Sequence, residues 1–234
     1  MIAQRERGLY RELNRPLYGF ADVDHLAGVS RGTAQRWLAG YAYRGAHGHR
    51  IVRPPVTPGA PGAPGVDAVG AVSFLDLVEI VAIGRLKERG FSLKDIRRIV
   101  ANCQEILGLP RPLSTLRFKV GGREAFVKQG DVLVEVGRRR RMQAWDDVLH
   151  PFLEELDYAE DFARRWWPLG RQHQVMIDPE YGFGLPVVAG SGVRTEIILE
   201  RFRVGDLEHQ IADDFNITSI EVQRALQFEI QRAA

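Results

Sequence analysis

The run Pro54-Pro-Val-Thr-Pro-Gly-Ala-Pro-Gly-Ala-Pro-Gly65 is the strongest constraint on how this chain can fold. Proline removes backbone donors there and glycine removes stiffness, so the run cannot be regular helix or sheet. It is expected to be a loop or hinge that sets a short head apart from a long remainder. The two ends also differ in charge. Residues 1–53 carry nine Arg against four acids (Glu6, Glu12, Asp22 and Asp24), whereas residues 174–234 carry five Arg against ten acids. A basic head suits a polyanion, and an acidic tail does not.

Composition narrows the classes of function. Hydrophobic residues make up 45% and charged residues 26% of the chain, as in ordinary globular domains. The single cysteine, Cys103, excludes an intramolecular disulfide and a cysteine-built zinc site, and it reads as a small buried apolar residue beside Val100 and Leu107. No apolar leader follows Met1, and Asp76, Glu79 and Arg85 interrupt the most apolar stretch, Val69 to Leu86. A cytoplasmic protein with no membrane contact is expected. No P-loop, Gly-x-Ser-x-Gly or His-Glu-x-x-His motif is present, and no cofactor is implied. His47-Gly-His49 has metal-compatible spacing but no third ligand nearby, so a solvated loop is expected. Asp213-Asp214 and Glu154-Glu155 diverge by about 100° on a helix and form no catalytic pair. The chain is read as non-enzymatic.

The periodicity predicts a mainly α fold with a small β component. Ser73 with Asp76, and Ser92 with Asp95, open two helices that end near Gly90 and near Gly108 and Pro110. Leu116, Phe118 and Val120 then alternate with Arg117 and Lys119, and Gly121-Gly122 and Gln129-Gly-Asp131 supply turns. With Ala125–Lys128 and Val132–Val136 they predict a central three-stranded β-meander, followed by helix around Pro151. The expected divisions are a head at 1–53, a linker at 54–72, a helical pair at 73–110, meander plus helices at 111–173, and a C-terminal domain at 174–234.

The head holds a helix-turn-helix pattern. Val23, Leu26 and Ala27 share one face, Gly28 suits a positive φ at the turn, Val29 points into the core, and Ser30 is expected to cap the next helix. Ala34, Trp37 and Leu38 face inward there, which leaves Arg31, Thr33, Gln35 and Arg36 outward. Arg can bridge two acceptors on guanine, Gln can pair with adenine, and Thr can meet a phosphate or a thymine methyl. Gly40 to Arg53 predicts a β-ribbon wing whose Arg44, Arg50 and Arg53 grip phosphates. The structural alternative is a small helical hairpin with a basic surface.

Leu26-Ala-Gly-Val-Ser30, Trp37 and Gly40-Tyr41 resemble the winged helix-turn-helix of MerR-type regulators. Ser73-Phe-Leu-Asp-Leu and Lys87-Glu-Arg-Gly-Phe-Ser-Leu-Lys-Asp-Ile96 resemble the helices that follow the wing there, so 73–110 is expected to complete that domain. The resemblance implies binding to operator DNA, and because one short recognition helix reads few base pairs, a homodimer or higher oligomer on an inverted repeat is expected. The Pro/Gly run is a long insertion for such a domain, and its long dimerising helix is not evident.

The tail carries a second pattern. Ile177-Asp-Pro179, Gly184-Leu-Pro-Val-Val-Ala-Gly190, Thr195–Gly205, Ile211–Thr218 and Val222–Leu226 resemble, in order, a small domain of VapB-type antitoxins, which neutralise PIN-like (VapC-type) ribonuclease toxins encoded by an adjacent gene. Residues 206–226 predict helix, turn and helix, capped at Thr218 or Ser219, with Leu207, Ile211, Ala212, Ile217, Val222 and Leu226 as core. Its acids repel phosphate, so a protein-facing role fits it better than DNA reading. Under the resemblance, Arg194, Arg201, Phe202 and Arg203 are the expected toxin contacts. An antitoxin that represses its own operon is the expected function. The alternative is a MerR-like regulator whose C-terminal region senses a small molecule.

Overall fold

The protein is seen in a computed structural model that describes residues 4–46, 48–57, 72–109, 111–121 and 142–233. It is mainly helical with small antiparallel two-stranded sheets. The chain divides into two compact units, 1–154 with 158–163, and 155–157 with 164–234. It passes between them through the hairpin β5 (Leu156–Ala159) and β6 (Phe162–Trp166).

The first unit is organised on α4 (Phe74–Glu88), which is apolar nearly all round and buried from Phe74 to Gly84, as a central core helix should be. Before it come α1 (Gln4–Leu13), β1 (Pro16–Tyr18), α2 (Phe20–Leu26), α3 (Thr33–Ala39), the hairpin β2 (Tyr41–Arg44) and β3 (Arg50–Arg53), and β4 (Val72–Ser73), which pairs with β1. The predicted capping box opens α4, with Ser73 Oγ accepting from Asp76 N at 3.2 Å and Asp76 accepting from Ser73 N at 3.0 Å. After α4, α5 (Leu93–Leu107) begins at the Ser92 cap and stops at the left-handed Gly108. Its inward face carries Ile96, Ile99, Val100 and the buried Cys103, whose thiol burial pushes up to about 12.

Buried charge ties α4 to its surroundings. Arg111 donates to Asp76 at 2.7 Å and to the Tyr10 hydroxyl at 2.9 Å, with both charged side chains almost wholly enclosed. One turn on, Glu79 accepts from Thr57 Oγ1 at 3.1 Å and from Ser114 N at 3.1 Å. Removal from water pushes its carboxyl up to about 8, against the pull of Arg111 and Thr57.

Two expectations are corrected here. The first strand of the predicted meander is helical, because residues 116–121 continue a helix. Thr115 opens it, its Oγ1 accepting from Phe118 N at 3.2 Å, and Phe118 is buried while Val120 is 80% exposed. The helix thus buries one side chain of the apparent alternation and releases another. The other two strands of the meander, 125–128 and 132–136, lie outside the described residues. The expected linker begins too early, since Val56 and Thr57 are buried and Val56 N donates to Trp37 O at 2.7 Å. Around Pro151, a π-helical turn (Trp145–Leu149) leads into α6 (His150–Glu154). A widened turn relieves the clash that a proline ring makes with the preceding turn of α-helix.

The second unit joins β7 (Val175–Met176) antiparallel to β8 (Val187–Val188), then adds α7 (Thr195–Arg203), α8 (Glu208–Phe215) and α9 (Ser219–Ala233). Val188, Ile198, Ile211, Ala212, Val222, Ala225 and Leu226 form its core, with Ile217 partly buried against it. Thr218 caps α9, its Oγ1 accepting from Glu221 N at 3.2 Å. Leu207, expected in the core, is 56% exposed because it serves as the N-cap of α8. Trp166 is fully buried, donates to Glu155 at 3.0 Å and lies under the Arg232 guanidinium. Among the described residues no helix is long and apolar enough to cross a membrane.

Candidate functional site

The basic surface of the head is built on α2, α3 and the β2–β3 hairpin. Val23, Leu26, Ala34, Trp37 and Leu38 are buried, as their spacing predicts. Gly28 holds the turn at φ 64°, and Val29 Cγ1 rests against α4 at Gly84, where an added Cβ would meet it at 3.4 Å. The cap of α3 is not Ser30. The carboxylate of Asp24, itself buried on α2, accepts from Gly32 N at 2.5 Å and from Ala34 N at 2.7 Å. A side chain of the first helix thus satisfies the free amides at the start of the second. Ser30 Oγ instead bonds Thr33 Oγ1 at 2.9 Å.

This arrangement sorts the predicted DNA contacts. Arg31 and Arg36 are exposed and Gln35 is half-buried. Thr33 is not outward-facing: it is 5% exposed, and its Oγ1 accepts from Arg36 Nη2 at 2.9 Å, so it positions an arginine rather than meeting solvent. Gly40 links α3 to β2 at φ 73°, and a Cβ there would lie 2.5 Å from Arg53 O, so only glycine fits.

In the hairpin, Arg44 faces Arg50 directly across the strands, and both are exposed. Like charges in that register weaken a hairpin unless an anion lies between them. Tyr41 and Tyr43 stack 6.0 Å apart on the hairpin, opposite Arg53 and Ile51, and Arg53 donates to the Tyr43 hydroxyl at 3.2 Å while lying over its ring. The residues from Gly40 to Arg53 include no acid. Sequence reasoning missed the tyrosine pair and Asp24. The alternation Tyr41-Ala-Tyr43 was a signal for the pair, whereas the Asp24 contact is non-local.

The predicted protein-facing residues in the second unit differ in availability. Arg201 is held by Asp206 and by Asp214, the latter at 2.7 Å, and it lies over the Phe215 ring. Arg194 is half-buried at the start of α7, while Phe202 and Arg203 are exposed. Among the described residues no group of three His, Cys, Asp or Glu could hold a metal ion, and His47 lies outside them. An open cleft of about 340 Å³ in the first unit is lined mostly by charge, including Arg85, Glu88, Arg89 and Asp147.

Comparison with known proteins places the described geometry in context. Residues 175–228 match a family described as "Protein of unknown function (DUF433)". The chain is 25% identical over 224 residues to a Mycobacterium tuberculosis (strain ATCC 25618 / H37Rv) protein named "Putative antitoxin VapB45", with 90% of this chain and 92% of the relative covered. It is 24% identical over 235 residues to "Uncharacterized protein Rv2308" of the same organism, covering 92% and 91% of the two. The crystal structure of Rv2018 from Mycobacterium tuberculosis superposes with a TM-score of 0.69 at 21% identity, over 90% of this chain and 97% of that one. That likeness establishes a shared fold.

Proposed function

We propose that this chain is the antitoxin of a type II toxin–antitoxin pair, which neutralises a PIN-like ribonuclease by direct binding and represses its own operon through its head. The observation that carries the reading is the similarity, over nine-tenths of both chains, to a relative named as an antitoxin. The separation of charge supports it, with a basic head suited to nucleic acid and an acid-rich second unit suited to protein. In this reading α2 and α3 form a helix-turn-helix of MerR type and β2–β3 is its wing. Arg31, Gln35 and Arg36 face the major groove, Thr33 orients Arg36, and Arg44, Arg50 and Arg53 grip phosphates. One short helix reads few base pairs, so the protein acts as a homodimer or higher oligomer on an inverted repeat.

The test uses the gene adjoining this one. Co-expression of its product with the full chain should restore growth and yield a co-purifying complex, and the full chain should retard DNA from upstream of its own gene. Growth arrest unrelieved by the chain, with no complex recovered, would overturn the antitoxin reading.

A further inference from the structure

Resting on the antitoxin reading, we infer that the ribonuclease docks on the apolar corner between α7 and α8, formed by Phe202, Val204 and Leu207, and that the surface it presents there is an apolar depression rimmed by cations. These three side chains are 42%, 81% and 56% exposed within one short stretch of chain. The corner beneath them is stiff. Arg201 binds Asp206 and Asp214 at once and covers Phe215, Asp206 N donates to Arg201 O at 3.2 Å, and Leu207 N donates to Gln210 Oε1 at 3.0 Å. Gly205, at φ 104°, makes the turn. Apolar side chains held in place before binding lose little freedom on docking, which is the property of an interface anchor.

Charge states what covers them. Glu196 and Glu200 on α7 and Asp213 on α8 are exposed and make no ion pair among the described residues. Glu196 and Glu200 stand four residues apart on α7, a like-charge spacing that disfavours the free helix and that a cationic neighbour relieves. Residues 155–157 and 164–234 together hold twelve acids, eight Arg and no Lys, a net −4. Arg203 is the exposed cation at the same corner, outnumbered by the three carboxylates. A surface of this kind fits the basic margin where a ribonuclease holds RNA phosphates, and it fits poorly on a carboxylate cluster that holds metal. Arg201, the residue best placed by sequence to enter such a cluster, is an internal tie; reaching out would break both of its ion pairs.

The experiment titrates the purified ribonuclease of the adjoining gene with full-length protein and three variants, at low and high salt, with far-UV circular dichroism and promoter binding as controls for folding. The Phe202→Ala/Leu207→Ser double variant should bind the ribonuclease at least about thirtyfold more weakly. Glu200→Lys/Asp213→Lys should bind about tenfold or more weakly at low salt, with a flatter salt dependence. Arg203→Ala should bind within about twofold of the parent. Parent-like binding by the apolar double variant, or loss of binding confined to Arg203→Ala, overturns the inference while leaving the antitoxin reading intact. Conversion of a dimer to monomers by the apolar variant, with ribonuclease binding unchanged, assigns the corner to a second copy of this chain and also overturns it. Failure of the parent itself to bind the ribonuclease overturns the antitoxin reading and this inference together.

Discussion

Replacing Asp24 by alanine removes both acceptors from the start of α3. Gly32 N and Ala34 N then face a buried site from which a carboxylate has been withdrawn, at a helix end where amides have no intrahelical partner. Loss of an N-cap side chain costs about 0.5–2 kcal/mol, and each buried hydrogen bond to a charged group contributes about 1.5–3 kcal/mol. Water entering the cavity recovers part of the second figure, so α3 should be loosened by roughly 2–4 kcal/mol. Asp24→Asn keeps one acceptor and should cost about half as much. Hydrogen exchange resolved to the amides of 32–38 reads this directly: protection in Asp24→Ala should fall roughly thirty- to thousandfold, with α5 and α9 unchanged. Promoter affinity should fall with it, because the helix that carries Arg36 would no longer be held. Exchange within about threefold of the parent throughout α3 would refute the cross-helix cap.

Other consequences are equally open to measurement. Burial raises Glu79 from an ordinary 4.5 to about 8, so the folded state keeps a proton that the unfolded chain loses, and stability should fall as pH rises between those values and level off above them. Glu79→Gln should flatten that slope in thermal unfolding of the full chain; an unchanged slope would contradict the assignment. Phe183 sits at φ 59° between Gly182 and Gly184 and is 86% exposed, so Phe183→Gly should relieve about 1 kcal/mol of strain and raise the urea midpoint, whereas a lowered midpoint would mean that the ring is held by contacts. Arg31→Ala and Arg36→Ala should each weaken promoter binding by ~1–3 kcal/mol in a gel shift, and an unaltered double variant would remove α3 from the interface. Gly40→Ala should unseat the β2–β3 hairpin by forcing a Cβ onto Arg53 O, seen as lost exchange protection at Tyr43, while a parent-like hairpin would show that the strands can shift.

The features legible in the sequence are those whose partners are close along the chain. Ser73 with Asp76, Ser92 with Asp95, and Thr218 with Glu221 meet within one helical turn, and Gly28 and Gly108 adopt the backbone that their positions require. Periodicity found Val23, Trp37, Ile99, Ile211 and Val222 for the same reason: a helix repeats its own geometry whatever it packs on. The non-local features escaped. Asp24 reaches eight and ten residues ahead to cap α3, so the local candidate Ser30 took its place in the reading, and Thr33 turned inward with it. Thr57, inside a run that promises only loop, is buried because Glu79 twenty-two residues on needs a donor. The short alternation around Phe118 fits strand and helix alike, and the cap at Thr115 decided for helix. At the candidate protein-facing corner, counting arginines gave no sign that Arg201 is tied down, since its two carboxylate partners lie five and thirteen residues away.

The most direct test of the account is RNA cleavage by the purified ribonuclease of the adjoining gene, measured as the full-length protein is titrated in. Cleavage should fall to background near a stoichiometric ratio, the chain truncated before residue 174 should fail to suppress it, and the truncated chain should still retard promoter DNA. Cleavage undiminished by excess full-length protein, with no complex detected, would contradict the account.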